Sequence, residues 1–165
     1  MIVDGQKTNM NDSHDLPEST ASAEQVPAEG AAGPARVVWA NVLHDRAHLS
    51  ESRRDATLAL EQAGRTGAIV ADVALAMTEL VVNALTHGTA STVEVTVSTT
   101  HRREEIILVV RHEDGGSDHL TDPPQMAAPG QLHGRGRAIV AAIADQFDTV
   151  RHGEREVEHT ARFVI

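Results

Sequence analysis

The sequence predicts a two-layer α/β (α+β) sandwich, in which a mixed, mostly antiparallel sheet carries helices on one face. Three observations lead there. Residues 68 to 87, AIVADVALAMTELVVNALTH, repeat apolar residues at helical spacing. The segment TVEVTVST alternates Val93, Val95 and Val97 with Thr and Glu, the period of a strand with one buried face. A short turn and an apolar run follow it, and a second strand pair closes the chain; short connections join antiparallel neighbours.

Residues 1 to 35 are rich in Ser, Thr, Pro, Gly, Ala and acids. Such a segment buries too little apolar surface to offset its ordering entropy, so it is expected to be a disordered acidic tail. The domain is expected over residues 36 to 165. It opens with RVVWANV, which suits a strand. SESRRDATLALEQA, residues 50 to 63, reads as a helix with Ser50 as N-cap and Gly64 as its stop. In the long helix, Ile69, Val73, Met77, Leu80, Val81 and Ala84 trace one apolar stripe, and Gly88 follows as a stop. After TVEVTVST, HRRE is a turn and EIILVVRH a central strand. Residues 113 to 133, with Gly115, Gly116 and three prolines, form a long loop of the kind that carries function or moves. Gly134 and Gly136 open a helix, RAIVAAIADQF, and strands around DTVRHG and HTARFVI end the chain.

Composition excludes several classes. There are 165 residues and no cysteine, so neither disulfides nor thiolate metal sites exist. Aromatics are limited to Trp39, Phe147 and Phe163, so the core is packed from Ala, Val, Leu and Ile. The net charge of -10, with no basic stripe, argues against nucleic acid as a partner. The N-terminus has no signal-peptide pattern, and uninterrupted apolar stretches fall short of the roughly 20 residues of a membrane span. A cytoplasmic protein without a membrane partner is the expectation.

Three constellations carry possible chemistry. Glu79, Asn83 and His87 lie at i, i+4 and i+8 on one face of the long helix, with Asp72 seven residues before Glu79. An amide oxygen suits Mg²⁺, and an adjacent carboxylate can activate a hydroxyl or water. The same pattern also fits a solvated helix edge. Gly134, Arg135 and Gly136 precede a helix, where bare backbone and a positive dipole favour phosphate; a plain turn and cap reads equally from these residues. A Walker A loop is excluded, because the only lysine is Lys7. Finally, HEDGG follows the central strand, where a carboxylate can accept from an adenine amino group and the glycines let the base approach; a polar turn is the alternative. His112, His119 and His133 flank the loop without the short spacing of a zinc site.

In this order, ELVVNALTHG, a strand pair, an acidic-glycine turn, a long loop and GRG before a helix, the chain resembles the GHKL superfamily of ATP-binding domains. More narrowly it resembles the free-standing anti-sigma-factor serine/threonine kinases of actinobacteria, over about residues 36 to 165. The resemblance implies ATP and Mg²⁺ as cofactors, Glu79 as general base and Asn83 as the Mg²⁺ ligand. It places His87, Glu113, Asp114, Gly115, Gly134, Arg135, Gly136 and Thr160 around the nucleotide. It departs from the family at His112, which stands where an Asp is expected, and at Arg137, where an apolar residue is usual.

The implied function is regulatory: an anti-sigma factor that phosphorylates a Ser or Thr of an anti-sigma-factor antagonist and binds a sigma factor otherwise. Homodimerisation is left open. The alternative is a catalytically degenerate module on the same fold that sequesters its partner.

Overall fold

Alternating burial along the strands decides which face of the sheet the helices cover. In the computed structural model, which describes residues 34–87, 89, 91–100, 104–115 and 135–165, the order is β1 (Arg36–Leu43), α1 (Leu49–Gln62), α2 (Ala68–His87), β2 (Val93–Thr100), β3 (Glu105–Glu113), α3 (Gly136–Ile143), β4 (Gln146–His152) and β5 (Glu156–Val164). The strands form one five-stranded sheet in the order β1-β2-β3-β5-β4. Every pairing is antiparallel, so the expected admixture of parallel pairing is not found among the described residues. β3 is the central strand, as the apolar run EIILVVRH predicts. The expected N-terminal tail lies outside the described residues, except for Pro34 and Ala35.

Val93, Val95 and Val97 of β2, Ile106, Leu108, Val110 and His112 of β3, and Val157, His159, Ala161 and Phe163 of β5 are all buried. They alternate with more exposed neighbours and make one face. Against that face lie α2, which packs on β2, β3 and β5, and α1, which packs on β1. The other face carries Ile107, Val109 and Arg111 of β3 beside Glu158, Thr160 and Arg162 of β5.

α2 covers Ala68–His87, the range expected, and buries Val70, Val73, Ala76, Met77, Leu80, Val81 and Ala84. Full burial of an aliphatic side chain of this size contributes about 1.5–3 kcal/mol, so this stripe anchors the helix. α2 is also long and apolar enough to cross a membrane by length and composition alone, with a mean hydropathy of 1.8, which corrects the sequence reading. In the fold that apolarity is spent on the sheet: Met77, Leu80 and Val81 are fully inaccessible.

Two helix boundaries differ from expectation. α1 begins at Leu49, with His48 rather than Ser50 at the N-cap position. Asp45 orders the turn that leads into the helix, taking the amides of Ala47 (2.8 Å) and His48 (3.3 Å) on Oδ1, and no side chain caps the first turn itself. Its other end follows the expectation. Gly64 adopts φ +80°, and the amides of Gly64 and Arg65 donate to the carbonyls of Glu61 and Leu60, closing a Schellman motif. α3 stops at Ile143, four residues short of Phe147. Ala144 is extended, and Asp145 turns the chain by accepting the Val164 amide at 2.7 Å. Phe147 then belongs to β4, half-buried against the core.

Candidate functional site

Glu79 and Asn83 are half-buried, one turn apart on α2. A wholly solvated edge is therefore excluded for both. The side of α2 that bears Glu79 meets the start of α3. Gly136, buried as the first residue of α3, is held so close that a Cβ there would lie 3.0 Å from Glu79 Oε2 and 3.4 Å from its carbonyl oxygen. Glycine is thus required by close approach rather than by its dihedral angles. The first amides of α3 have no acceptor within the helix, and they open next to Glu79. Arg135 occupies the N-cap position and is exposed, while Arg137 is half-buried. Gly134 lies outside the described residues.

From Arg137 the contacts lead onto the sheet. Arg137 is close enough to His159 of β5 to disfavour its protonated form. His159 faces His112 of β3, with Nε2 to Nε2 at 3.3 Å and ring centroids 5.4 Å apart. Thr149 Oγ1 of β4 stands 2.9 Å from His159 Nδ1, and the Phe147 ring stacks on the same imidazole. Burial pushes His159 down to about 3; His112 and Arg137 push it the same way, and Asp114 opposes them.

β3 then ends in the acidic-glycine turn. Asp114 is buried and pairs with Arg151 of β4, Nη2 to Oδ2 at 3.1 Å. Its amide donates to the Arg155 carbonyl at 2.7 Å. A Cβ on Gly115 would lie 3.1 Å from Thr89 Cγ2, so the turn abuts the chain that leaves α2. His87 ends α2 on the exposed side. Three close approaches thus tie these elements together: Gly136 to Glu79, His159 to His112, and Gly115 to Thr89.

Two expected site residues fall outside it. Thr160 pairs with Val109 across the strands and lies on the face away from the helices, 3.4 Å from Glu158 Oε1. Glu113 is exposed and shares the phase of Arg111, on that same outer face. Both depart from the expected positions because strand residues alternate strictly between faces. A cleft of about 640 Å³ opens at this end of the sheet, bordered by Glu94, Arg111, Glu113, Arg155 and Glu156. Of the expected site residues it includes Glu113 alone, with His112 also at its edge. His119 and His133 lie outside the described residues.

The sequence reading missed His159, Arg151 and Thr149. The signal for His159 was available: it occupies the apolar phase of β5, with Val157, Ala161 and Phe163. A histidine in that phase is buried and needs partners.

The arrangement offers an amide oxygen at Asn83, a carboxylate at Glu79, and a bare helix N-terminus at Gly136 facing that carboxylate. Those groups suit a metal-bound polyphosphate. At the far end, the acceptors expected to meet a nucleobase are engaged within the protein or turned to the outer face. Residues 42–162 match the family of histidine kinase-like ATPase domains. No curated protein matches the chain.

Proposed function

The chain belongs to the histidine kinase-like ATPase domain family, whose members bind ATP, and from that premise we propose that it is an anti-sigma factor with serine/threonine kinase activity toward an anti-sigma-factor antagonist. The observation that supports this best is the close approach of Gly136 to Glu79, with Asn83 one turn further along α2. It sets a bare helix terminus beside a carboxylate, with an amide oxygen one turn away on α2.

When bound, ATP would supply the γ-phosphoryl group and leave as ADP once the bond to its β–γ bridging oxygen breaks, and the residues would supply position and charge. Asn83 holds Mg²⁺ through its amide oxygen, the ligand type that ion takes. The first amides of α3, reached because Gly136 has no side chain, take phosphate oxygens. Glu79 receives the proton of the attacking Ser or Thr hydroxyl on its carboxylate. Catalysis of this kind rests mainly on positioning and charge neutralisation. Sigma factor and antagonist compete for the same protein, which acts in the cytoplasm.

The test has two stages. The full chain is titrated with ATP and Mg²⁺ by calorimetry, and then incubated with an antagonist recovered by pull-down while phosphoserine and phosphothreonine are followed by mass spectrometry. Binding with transfer supports the kinase. Absence of binding at millimolar nucleotide refutes it. A second reading is favoured by one observation, the engagement of His112 with His159 where the family has an Asp. In that reading the chain sequesters its partner without phosphorylating it, and binding without transfer is the outcome that selects it.

A further inference from the structure

We propose that Arg46 is a phosphate-binding residue of this site, carried onto the Glu79–Asn83 stripe of α2 by the Thr86 hydroxyl. The inference rests on the nucleotide-binding reading above and adds to it a side chain from the loop between β1 and α1.

Helix phase sets Thr86 beside the two candidate residues. It lies seven residues after Glu79 and three after Asn83, on the same side of α2, with its Cβ about 5–6 Å from that of Asn83. The Thr86 hydroxyl donates to the Val82 carbonyl oxygen, which only accepts, so Oγ1 keeps its lone pairs. Arg46 Nη2 donates to that oxygen. This uses one of the five N–H groups of a guanidinium. The loop that brings Arg46 there is itself ordered. Asp45, the carboxylate next to it in sequence, is turned to the Ala47 and His48 amides and the His48 ring. Among the described residues no carboxylate pairs with Arg46, whereas Arg111, Arg151 and Arg162 each face one.

A polyphosphate needs such a cation. Mg²⁺ offsets only part of its charge, and transfer of a phosphoryl group depends on neutralising the rest. The described residues contain no lysine, since the only one is Lys7. Arg137 leads away from α2 toward His159. The first amides of α3 open beside Glu79, and Arg46 comes onto the same stripe beyond Asn83. A phosphate that shares Mg²⁺ with Asn83 is within a side-chain length of the Thr86 hydroxyl, and a guanidinium held there meets its oxygens with paired N–H groups. The same bond also suits a plain tie between the loop and the negative end of α2, and the experiment separates the two roles.

The full chain is titrated by calorimetry with ATP and Mg²⁺, as wild type, Arg46→Met, Arg46→Lys and Thr86→Val. Arg46→Met keeps the stem and removes the charge. It is expected to bind about tenfold or more weakly, the effect of losing hydrogen bonds from a charged donor. Arg46→Lys keeps the charge without the fork and is expected to fall between Arg46→Met and wild type. Thr86→Val keeps the shape and removes the acceptor, so about a threefold loss is expected. Affinity of Arg46→Met within about twofold of wild type overturns the inference and leaves the nucleotide reading intact. An Arg46→Lys variant as weak as Arg46→Met does the same, because charge toward phosphate is then not what Arg46 supplies. Wild-type affinity in Thr86→Val overturns Thr86 as the anchor. Absence of ATP binding by the wild type overturns both readings. Urea unfolding without nucleotide reads the structural role. An Arg46→Met midpoint that drops while ATP affinity holds reduces Arg46 to a tie between loop and helix, and overturns the proposal.

Discussion

Gly136 and Glu79 touch across the α2–α3 contact so closely that any side chain on the first would displace the second: a Cβ at Gly136 would stand 3.0 Å from Glu79 Oε2 and 3.5 Å from Glu79 Cβ. The glycine that begins α3 therefore has two consequences. It leaves the helix terminus bare, and it fixes where the Glu79 carboxylate sits.

Gly136→Ala separates those consequences from stability. Alanine in a helix gains about 0.5–1 kcal/mol over glycine, while forcing a methyl into a packed contact costs about 1–3 kcal/mol. The nearest atom is the end of a flexible carboxylate, which places the cost at the low end. The unfolding free energy in urea should stay within about 1 kcal/mol of wild type. If the first amides of α3 hold phosphate as proposed, the affinity for ATP with Mg²⁺ should fall about tenfold, because the methyl crowds that terminus. Unchanged affinity would show that this terminus does not hold phosphate.

Asn83 and Glu79 are predicted to fail differently. Asn83→Ala removes the proposed Mg²⁺ ligand and should weaken nucleotide binding itself. Glu79→Ala should leave affinity largely intact and slow phosphate transfer about a hundredfold to ten-thousandfold, the usual contribution of a general base. Nucleotide affinity and antagonist phosphorylation are measured for each variant. If both substitutions have the same effect, the division of roles is wrong.

Most of the architecture was legible because period and punctuation agree. The stripe from Val73 to Ala84 and the valines of β2 each follow one period without exception, and Gly64 ends α1 with the positive φ that glycine supplies. Misreadings arose where a side chain acts across sequence. Asp45 orders the turn ahead of α1, and Asp145 ends α3 by bonding to Val164, nineteen residues on. In the site, Glu79 and Gly136 could each be picked out as candidates, but their contact could not, since it depends on how α3 docks. Strand phase was the neglected evidence. It sends Thr160 outward and His159 inward, one residue apart.

Arg151→Met should destabilise the protein by about 2–4 kcal/mol, because the Asp114 carboxylate, 5% exposed, stays buried without this guanidinium. The double variant Asp114→Asn, Arg151→Met should recover most of the loss, since the uncompensated charge is then gone. Urea unfolding of the three proteins measures both steps. If the double variant is no better than Arg151→Met, the loss comes from packing of the long arginine stem rather than from the ion pair.

Stability should fall on acidification through His159. Its folded-state value is pushed down to about 3, below the ordinary 6.5, chiefly by burial, with His112 and Arg137 adding to the effect and Asp114 opposing it. The unfolded chain therefore binds a proton between those values that the folded chain does not. Stability is fully present above about pH 6.5 and declines as pH falls toward 3, with a limiting slope of about 1.4 kcal/mol per pH unit from this group. By pH 5 its share reaches about 2 kcal/mol. His159→Gln cannot titrate, and its amide can still meet Thr149 or His112. Urea unfolding from pH 8 to 5 should show a shallower fall for this variant than for wild type, with the gap between the two curves narrowing as pH drops. Parallel curves would mean that His159 takes up its proton in the fold over the same pH range as in the unfolded chain, and burial would then not hold the imidazole neutral.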